Sequence, residues 1–283
     1  MTVKKPKVAV VLSGGGIKPF AAIPLFEFFE KQEVPIDLMV GCSGGSIVTV
    51  LHACGFSTEE ITTRLLPEIK KSLFKRNARA LMALANLPFG RLNRQSAFLK
   101  PEPLLKLFRE YLGDKRIEDL DQKIVLQVTD FETGEGIGLE KGDLASSLYA
   151  SCAIFPLFPP IEIDGRWLFD GGFSAPLPVL QAVKKNADVI IVVDFMEKVH
   201  PDPTGLMEIM AHLVKLTSKS NMAQQMALAI SVHHAEFIYF NVRFDRNIAL
   251  WQTERIPEVL AAGRRELDSV CRELLTAIQL KCE

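Results

Sequence analysis

Residues 36–54 read IDLMVGCSGGSIVTVLHAC, in which two apolar runs flank a serine set among glycines. Residues 36–40 are typical of a short buried strand, and residues 45–54 are apolar on nearly every side, which indicates a buried helix. Between them, Gly41-Cys42-Ser43-Gly44-Gly45 fits G-x-S-x-G, whose glycines permit a sharp, strained turn from strand to helix. The Ser43 hydroxyl then projects at a helix N-terminus, where the dipole favours a developing negative charge, and the N–H of Gly44 is a natural oxyanion donor.

A second segment of this kind comes earlier in the chain. Residues 7–12 are rich in valine and run into Ser13-Gly14-Gly15-Gly16, and residues 18–32 have helical apolar spacing. The resulting order of strand, glycine loop, helix, strand, glycine turn and helix predicts an α/β fold with a parallel sheet. Neighbouring parallel strands would put residues 14–16 beside Ser43, and this favours an oxyanion hole over a plain turn or a phosphate loop. Lys18 either adds positive charge to that site or is a solvated lysine at the start of a helix.

The remaining pattern continues the alternation of strands and helices. Strands are predicted at residues 123–129, 136–139, 188–194 and 237–242, and a hairpin at 161–169 with Asp164-Gly165 at its tip. Helices are predicted at residues 146–153, 204–236 (one or two) and 257–280, and the stretch of about 58–113 is predicted to be helical with proline breaks. The chain shows no internal repeat and no obvious linker. We therefore expect a single domain over residues 1–283, with 58–113 as a helical insertion or cap.

A serine nucleophile needs a base, and the histidines do not offer a clear one. No recognisable motif surrounds any of the five, which are His52, His200, His212, His233 and His234. The acid that stands out is Asp170 in Phe169-Asp170-Gly171-Gly172, where two glycines allow a close approach of backbone. A poorly solvated aspartate within hydrogen-bond reach of the hydroxyl can act as a general base.

Composition excludes several classes of protein. The 283 residues carry 33 basic and 34 acidic side chains, a formal net charge of −1, which gives no electrostatic footprint for nucleic acid. The five cysteines are odd in number and lack C-x-x-C spacing, which argues against a disulfide framework and a structural zinc site. Residues 8–12 are too short a run for a signal peptide, and no apolar stretch is long enough to span a membrane. We expect a cytoplasmic protein that visits a membrane surface at most peripherally.

Taken together, three short motifs give the chain its resemblance to a known family. Gly14-Gly15-Gly16-Ile17-Lys18, Gly41-Cys42-Ser43-Gly44-Gly45 and Asp170-Gly171-Gly172 occur in the order found in the patatin-like phospholipases, which are serine acyl hydrolases with a Ser–Asp dyad. Ser151-Cys152-Ala153, leading to Phe158-Pro159-Pro160, also looks like bacterial members.

The resemblance implies a three-layer α/β/α fold and a lipid acyl hydrolase of the phospholipase A or lysophospholipase type. It implies Ser43 as nucleophile, Asp170 as base and the backbone of residues 14–16 as oxyanion hole. Lys18 would hold the position that is usually Arg or Lys. It also implies no metal, no cofactor and no catalytic histidine.

Two departures from the family pattern keep alternatives open. Pro19 follows Lys18 where the family usually has glycine, and Phe173-Ser174-Ala175 lacks the usual asparagine after Asp-Gly-Gly. They motivate a catalytically weak lipid-binding protein of the same fold. A Ser-Asp-His triad of the α/β-hydrolase kind is a second alternative, although that fold places several strands before its elbow. An acyltransferase is a third, disfavoured because Cys42 stands where such enzymes often have histidine.

A basic stretch at residues 69–101 bears on the lipid question. It contains eight basic residues and no acidic one, interleaved with leucine and phenylalanine: Lys70, Lys71, Lys75, Arg76, Arg79, Arg91, Arg94 and Lys100. Such a stretch can lie on an anionic membrane surface, or it can be a solvated insertion whose apolar face packs on the domain. The methionines of residues 206–230 are more typical of a core or an oligomer contact than of a lipid groove.

Overall fold

An eight-stranded sheet forms the centre of the computed structural model, which describes residues 5–68, 93–196, 205–246, 248 and 252–281. The strands are β1 (Val8–Leu12), β2 (Leu38–Cys42), β3 (Ile124–Asp130), β4 (Gly136–Leu139), β5 (Ile161–Ile163), β6 (Arg166–Asp170), β7 (Val189–Met196) and β8 (Glu236–Arg243). In the spatial order β3-β2-β1-β7-β8 they run parallel, while β4 and β6 pair antiparallel with β3, and β5 with β6. The mainly parallel sheet predicted from the sequence is confirmed.

Helices cover both faces of this sheet. They are α1 (Ile23–Lys31), α2 (Gly44–Ala53), α3 (Thr58–Glu60) with a π-helical continuation at Ile61–Leu65, α4 (Glu102–Leu112), α5 (Leu144–Cys152), α6 (Val179–Lys184), α7 (Leu206–Val232) and α8 (Ile256–Leu280). Short 3-10 turns lie at Lys18–Ala22, Ile117–Asp119, Gly171–Phe173 and Thr253–Arg255.

Alternation along β1 shows how the layers form. Val8, Val10 and Leu12 pack in one core with side chains of α1, α2, α4, α5 and α8, whereas Ala9 and Val11 pack in a second core with side chains of α6 and α7. All five residues of β1 are buried, as expected of a central parallel strand that is covered on both faces. The expected three-layer α/β/α architecture is confirmed.

Several predicted elements differ in detail. The helix predicted for residues 18–32 begins as the 3-10 turn Lys18–Ala22 and becomes α-helical only at Ile23. Of the one or two helices predicted for residues 204–236, the structure has one, α7, and it ends at Val232, so Glu236 already belongs to β8. Residues 93–101, predicted to be helical, are not. The N–H groups of Phe98 and Leu99 instead donate to the carbonyls of Pro156 and Leu157, so this segment binds an adjacent loop. Most of the predicted insertion and basic stretch, residues 69–92, lies outside the described residues.

Candidate active site

Sheet register brings the two predicted catalytic residues together from positions far apart in sequence. Cys42, the last residue of β2, pairs with Gln127, and the next residue of β3, Val128, pairs with Asp170 at the end of β6. Ser43 and Asp170 therefore emerge on opposite sides of β3 at nearly the same level. The hairpin that returns β6 to this level turns at Asp164 and Gly165, both with positive φ (50° and 74°), as a type I′ turn requires.

Ser43 occupies a strained elbow between β2 and α2. Its φ of 52° and ψ of −122° lie outside the regions that residues with a side chain ordinarily adopt. The glycines around it allow close backbone packing: a Cβ on Gly44 would overlap the carbonyl oxygen of Gly16, and one on Gly45 would lie 2.6 Å from the carbonyl oxygen of Leu12. These contacts hold the N-terminus of α2 against the loop of residues 14–16, as the sequence predicts.

The Ser43 hydroxyl donates a hydrogen bond of 2.7 Å from its Oγ to Oδ2 of Asp170. The other carboxylate oxygen, Oδ1, accepts the N–H of Gly172 at 2.7 Å. The carbonyl of Asp170 accepts a bond from Thr129 Oγ1, and a Cβ on Gly171 would overlap the carbonyl oxygen of Gln127, so this loop sits tightly on β3. Both oxygens of the carboxylate are thus oriented by short bonds.

Burial changes the acidity of this carboxylate. Asp170 is only 3% exposed, and burial raises its pKa to about 6, against the opposing effect of the hydrogen bonds from Ser43 and Gly172. Desolvation raises the affinity of a carboxylate for a proton, because water no longer stabilises the charged form. At neutral pH the group is still mostly ionised, and it is a stronger base than a solvated aspartate.

The glycine loop offers backbone donors beside Ser43. A Cβ on Gly14 would lie 3.5 Å from Cβ of Ser43, which places the loop at the elbow. Within the described part of the chain, the N–H groups of Gly15 and Gly16 make no hydrogen bond. Gly14 differs from the prediction: its N–H already donates to the carbonyl of Pro176 at 2.9 Å, so it is not free to bind an oxyanion.

Lys18 lies close to a second serine–aspartate pair. Ser13 Oγ, just after β1, donates to Oδ1 of Asp194 on the adjacent strand β7 at 3.1 Å. Burial raises the pKa of Asp194, while the N–H of Phe195, the Ser13 hydroxyl and the Lys18 ammonium lower it. Lys18 itself is only 9% exposed, so the interpretation that it is a solvated lysine at the start of a helix is wrong. Its charge faces Asp194, at the base of the glycine loop.

A buried serine that the sequence did not single out as functional supports the elbow. Ser151 Oγ accepts the N–H of Ser43 at 3.1 Å, contacts Ser46 Oγ at 2.7 Å and donates to the carbonyl of Gln127. On the next residue, the thiol of Cys152 donates to the carbonyl of Ser43. The resemblance of residues 151–153 to bacterial family members was the signal that could have identified this role.

The histidines are engaged elsewhere. His52 packs on the ring of Phe26 with 4.4 Å between centroids, and His233 bonds the carbonyl of Ala187. In the described ranges no histidine hydrogen-bonds to Ser43 or Asp170, and His200 lies outside those ranges. Asp170 binds the hydroxyl directly, so no imidazole stands between acid and serine.

Aromatic rings surround the Asp170 loop. Phe169 contacts Phe131 and Phe173, with ring centroids 5.4 and 4.8 Å apart, and Phe131 also contacts Phe155. Phe131 and Phe173 are 37% and 44% exposed, so the cluster presents an apolar surface to solvent next to the carboxylate.

Two further properties concern metals and membranes. Among the residues that the structure covers, no group of histidine, cysteine and acidic side chains is arranged to hold a metal ion. None of the helices described here has the length and apolar character needed to cross a bilayer.

The chain is similar to several known proteins. The family model for patatin-like phospholipases matches residues 10–183, which include Ser43 and Asp170. An uncharacterized NTE family protein of Mycobacterium tuberculosis is 30% identical over 66% of this chain and 49% of its own length. Lysophospholipase NTE1 of Meyerozyma guilliermondii is 30% identical over 66% of this chain but only 12% of its own. The chain thus spans about half the length of the mycobacterial relative and far less of the yeast one. Among solved structures, VipD of Legionella pneumophila is 14% identical with a TM-score of 0.46, covering 94% of this chain and 67% of VipD.

Proposed function

The chain belongs to the patatin-like phospholipase family, and from this premise we propose that it hydrolyses carboxylic esters of lipids with Ser43 as nucleophile and Asp170 as general base. The single observation that carries the proposal is the 2.7 Å hydrogen bond from the Ser43 hydroxyl to the buried Asp170 carboxylate. That bond aligns the proton with its acceptor and leaves the oxygen of Ser43 free to attack.

In the first half of the reaction, Ser43 Oγ forms a bond to the ester carbonyl carbon while its proton passes to Oδ2 of Asp170. The raised pKa of Asp170, about 6, makes it a competent acceptor that is still ionised at pH 7. Collapse of the tetrahedral intermediate breaks the bond to the leaving alcohol, which takes the proton from Asp170. The acyl group remains on Ser43.

The negative charge of the intermediate needs donors, and the structure offers a specific set. The N–H groups of Gly15 and Gly16 have no partner within the described residues, and that of Gly44 belongs to the first turn of α2, where helical N–H groups have no intrahelical acceptor. We assign the oxyanion hole to these three groups, with the α2 dipole adding to their effect. The N–H groups of Gly14 and Ser43 are already bonded and are left out.

The second half mirrors the first. A water molecule gives a proton to Asp170 as its oxygen attacks the acyl carbon, and collapse of the intermediate returns that proton to Ser43 Oγ. The products are a fatty acid and the free enzyme, and no further group is consumed.

The apolar rim and the relatives favour a lipid substrate. Phe131, Phe155, Phe169 and Phe173 form an aromatic wall that begins next to Asp170, and an acyl chain leaving the ester can lie against it. Since one relative is named a lysophospholipase, we propose single-chain phospholipids as the first substrates to test.

The alternatives account less well for the geometry. A Ser-Asp-His triad requires an imidazole between the acid and the hydroxyl, and the direct bond between Ser43 and Asp170 leaves no place for one. A protein that only binds lipid does not need a strained elbow, a poorly solvated carboxylate and unbonded N–H groups in one place.

Labelling with a fluorophosphonate tests the proposal. We expect one covalent adduct, located by peptide mass spectrometry on Ser43, and parallel loss of p-nitrophenyl butyrate hydrolysis. Ser13→Ala is the matched control and should label like the unaltered chain, because Ser13 lies 1% exposed beneath the loop. Absence of an adduct together with absence of hydrolysis would favour a lipid-binding protein, and an adduct on another serine would refute the assignment of Ser43.

A further inference from the structure

Helix α7 carries most of the exposed apolar surface. Of the eleven large hydrophobic side chains that are exposed among the described residues, seven lie on this one helix: Ile209, Leu213, Val214, Leu216, Leu228, Ile230 and Val232. By contrast, Met222 and Met226 of the same helix contribute to the second core, as the sequence predicts for methionines. The exposed side chains therefore lie away from the core face of the helix.

The N-terminal half of α7 has the pattern of an interfacial helix. Ile209, Leu213 and Leu216 are spaced at i, i+4 and i+7, so they form one stripe, 42–50% exposed. Lys219 comes three residues after Leu216 and flanks the stripe, and Lys215 lies about 100° round the helix from Leu216. Glu208 directly precedes Ile209, and residues 209–235 include no aspartate or glutamate. A cationic flank next to an apolar stripe is the composition of helices that lie in an anionic lipid interface.

The same helix is bonded directly to the loop that carries Asp170. The carbonyl oxygen of Ser174 accepts Nδ2 of Asn221 at 2.8 Å and Nε2 of Gln225 at 3.0 Å. Ser174 follows the 3-10 turn Gly171–Phe173, which begins directly after Asp170, and its hydroxyl contacts Thr129 at 2.8 Å. These two bonds therefore link the position of α7 to the position of the loop that carries Asp170.

We propose that the Ile209–Leu213–Leu216 stripe of α7, with Lys215 and Lys219, docks this protein on an anionic lipid surface and presents the Asp170 loop to it; this rests on the proposed function. The occupant we favour is the lipid surface, because its charge is opposite to that of the flanking lysines. A second copy of the chain is the alternative outcome that the test must exclude. Phe173, the residue before Ser174, is itself 44% exposed.

Vesicle sedimentation tests whether α7 docks on lipid, and it does not depend on catalysis. In the Ser43→Ala background, binding to phosphatidylcholine vesicles with and without phosphatidylglycerol is compared for Leu213→Glu/Leu216→Glu and for Leu280→Glu. Leu280 is the matched control, a leucine 64% exposed on α8. We expect the double variant to lose about tenfold or more in binding to anionic vesicles, since two apolar side chains no longer enter the interface. The control should bind within about twofold of the parent.

Further measurements separate this proposal from the others. Lys219→Glu should weaken binding only to the anionic vesicles, and added salt should reduce the difference. Restored to Ser43, the double variant should hydrolyse soluble p-nitrophenyl butyrate like the unaltered chain; if no variant hydrolyses it, the proposed function fails while the vesicle result still stands. Unchanged vesicle binding by the double variant would overturn the proposal that α7 docks on lipid. So would light scattering that shows a dimer made monomeric by the substitutions.

Discussion

Two serine–aspartate pairs lie at the same edge of the sheet, and their difference explains the site. Ser43 donates to Asp170 at 2.7 Å and Ser13 donates to Asp194 at 3.1 Å, each across a long separation in sequence. In both pairs burial raises the pKa of the carboxyl group. By residue type and bonding alone, either pair could be taken for a catalytic dyad.

Backbone and charge distinguish them. Ser43 stands on a strained elbow at the N-terminus of α2 and is partly exposed, whereas Ser13 continues the line of β1, bonds Val193 through its N–H and is 1% exposed. Asp194 faces the Lys18 ammonium, whereas the groups that hydrogen-bond to Asp170, the Ser43 hydroxyl and the N–H of Gly172, are uncharged. A reactive pair needs access, oxyanion donors and an uncompensated base, and the hydrogen bond itself is not sufficient.

Removing each hydroxyl should produce the largest contrast. Ser43→Ala is expected to lower kcat for p-nitrophenyl butyrate by about 10⁴-fold or more, since the nucleophile is lost. Ser13→Ala removes one buried hydrogen bond and no reacting atom, so we expect a loss below about tenfold. Steady-state rates on both purified variants check this, with thermal melts to confirm folding. Comparable losses in the two variants would remove the distinction between the pairs.

Neutralising each carboxylate should separate the pairs in stability. Because burial raises the pKa of Asp170 to about 6 from an ordinary 3.8, its ionised form costs the fold up to about 3 kcal/mol above pH 6. The raised pKa means that this cost is absent below about pH 4 and grows as the pH rises to 6. Asp170→Asn should therefore stabilise the chain at pH 7.5, by about 1–3 kcal/mol, and much less at pH 4.

Asp194→Asn is the comparison variant for that measurement. Its pKa is also raised by burial, but the Lys18 ammonium offsets part of that cost, so we expect a gain in stability at pH 7.5 that is smaller than the gain in Asp170→Asn. Urea unfolding at the two pH values gives both numbers. Destabilisation by Asp170→Asn at pH 7.5 would contradict this account, because it would show that other interactions outweigh the cost of burying the Asp170 charge.

Local chemistry explains which parts of the site could be predicted from the sequence. The elbow, the glycine loop and the Asp164-Gly165 hairpin each follow from glycine positions within a few residues, and the structure has all three. The Ser13–Asp194 pair could not be found in this way, because it depends on β7 pairing with β1, where Leu12 aligns with Val193. The bonding of Gly14 to Pro176 is equally non-local, so the sequence could not show that this N–H is already used.

The same limit applies to α7. The helical pattern and the methionines on its core side could be predicted from the sequence, but the bonds from Asn221 and Gln225 to Ser174 join residues 47 and 51 positions apart. This chain lacks the asparagine expected after Asp170-Gly171-Gly172, and the carbonyl of Ser174 in this loop accepts bonds from two amide side chains of α7. No local signal in the sequence indicates these bonds.

The pH dependence of kcat/KM on a soluble ester tests the central claim, that Asp170 alone is the base. We predict a single rising limb with its midpoint near the raised pKa of Asp170, about 6, because only the ionised carboxylate can accept the proton of Ser43. The limb should persist in Asp194→Asn and when each of the five histidines is replaced in turn by glutamine, and Asp170→Asn should be nearly inactive at every pH. Loss of the limb on replacing one histidine, or its survival with high activity in Asp170→Asn, would contradict the account.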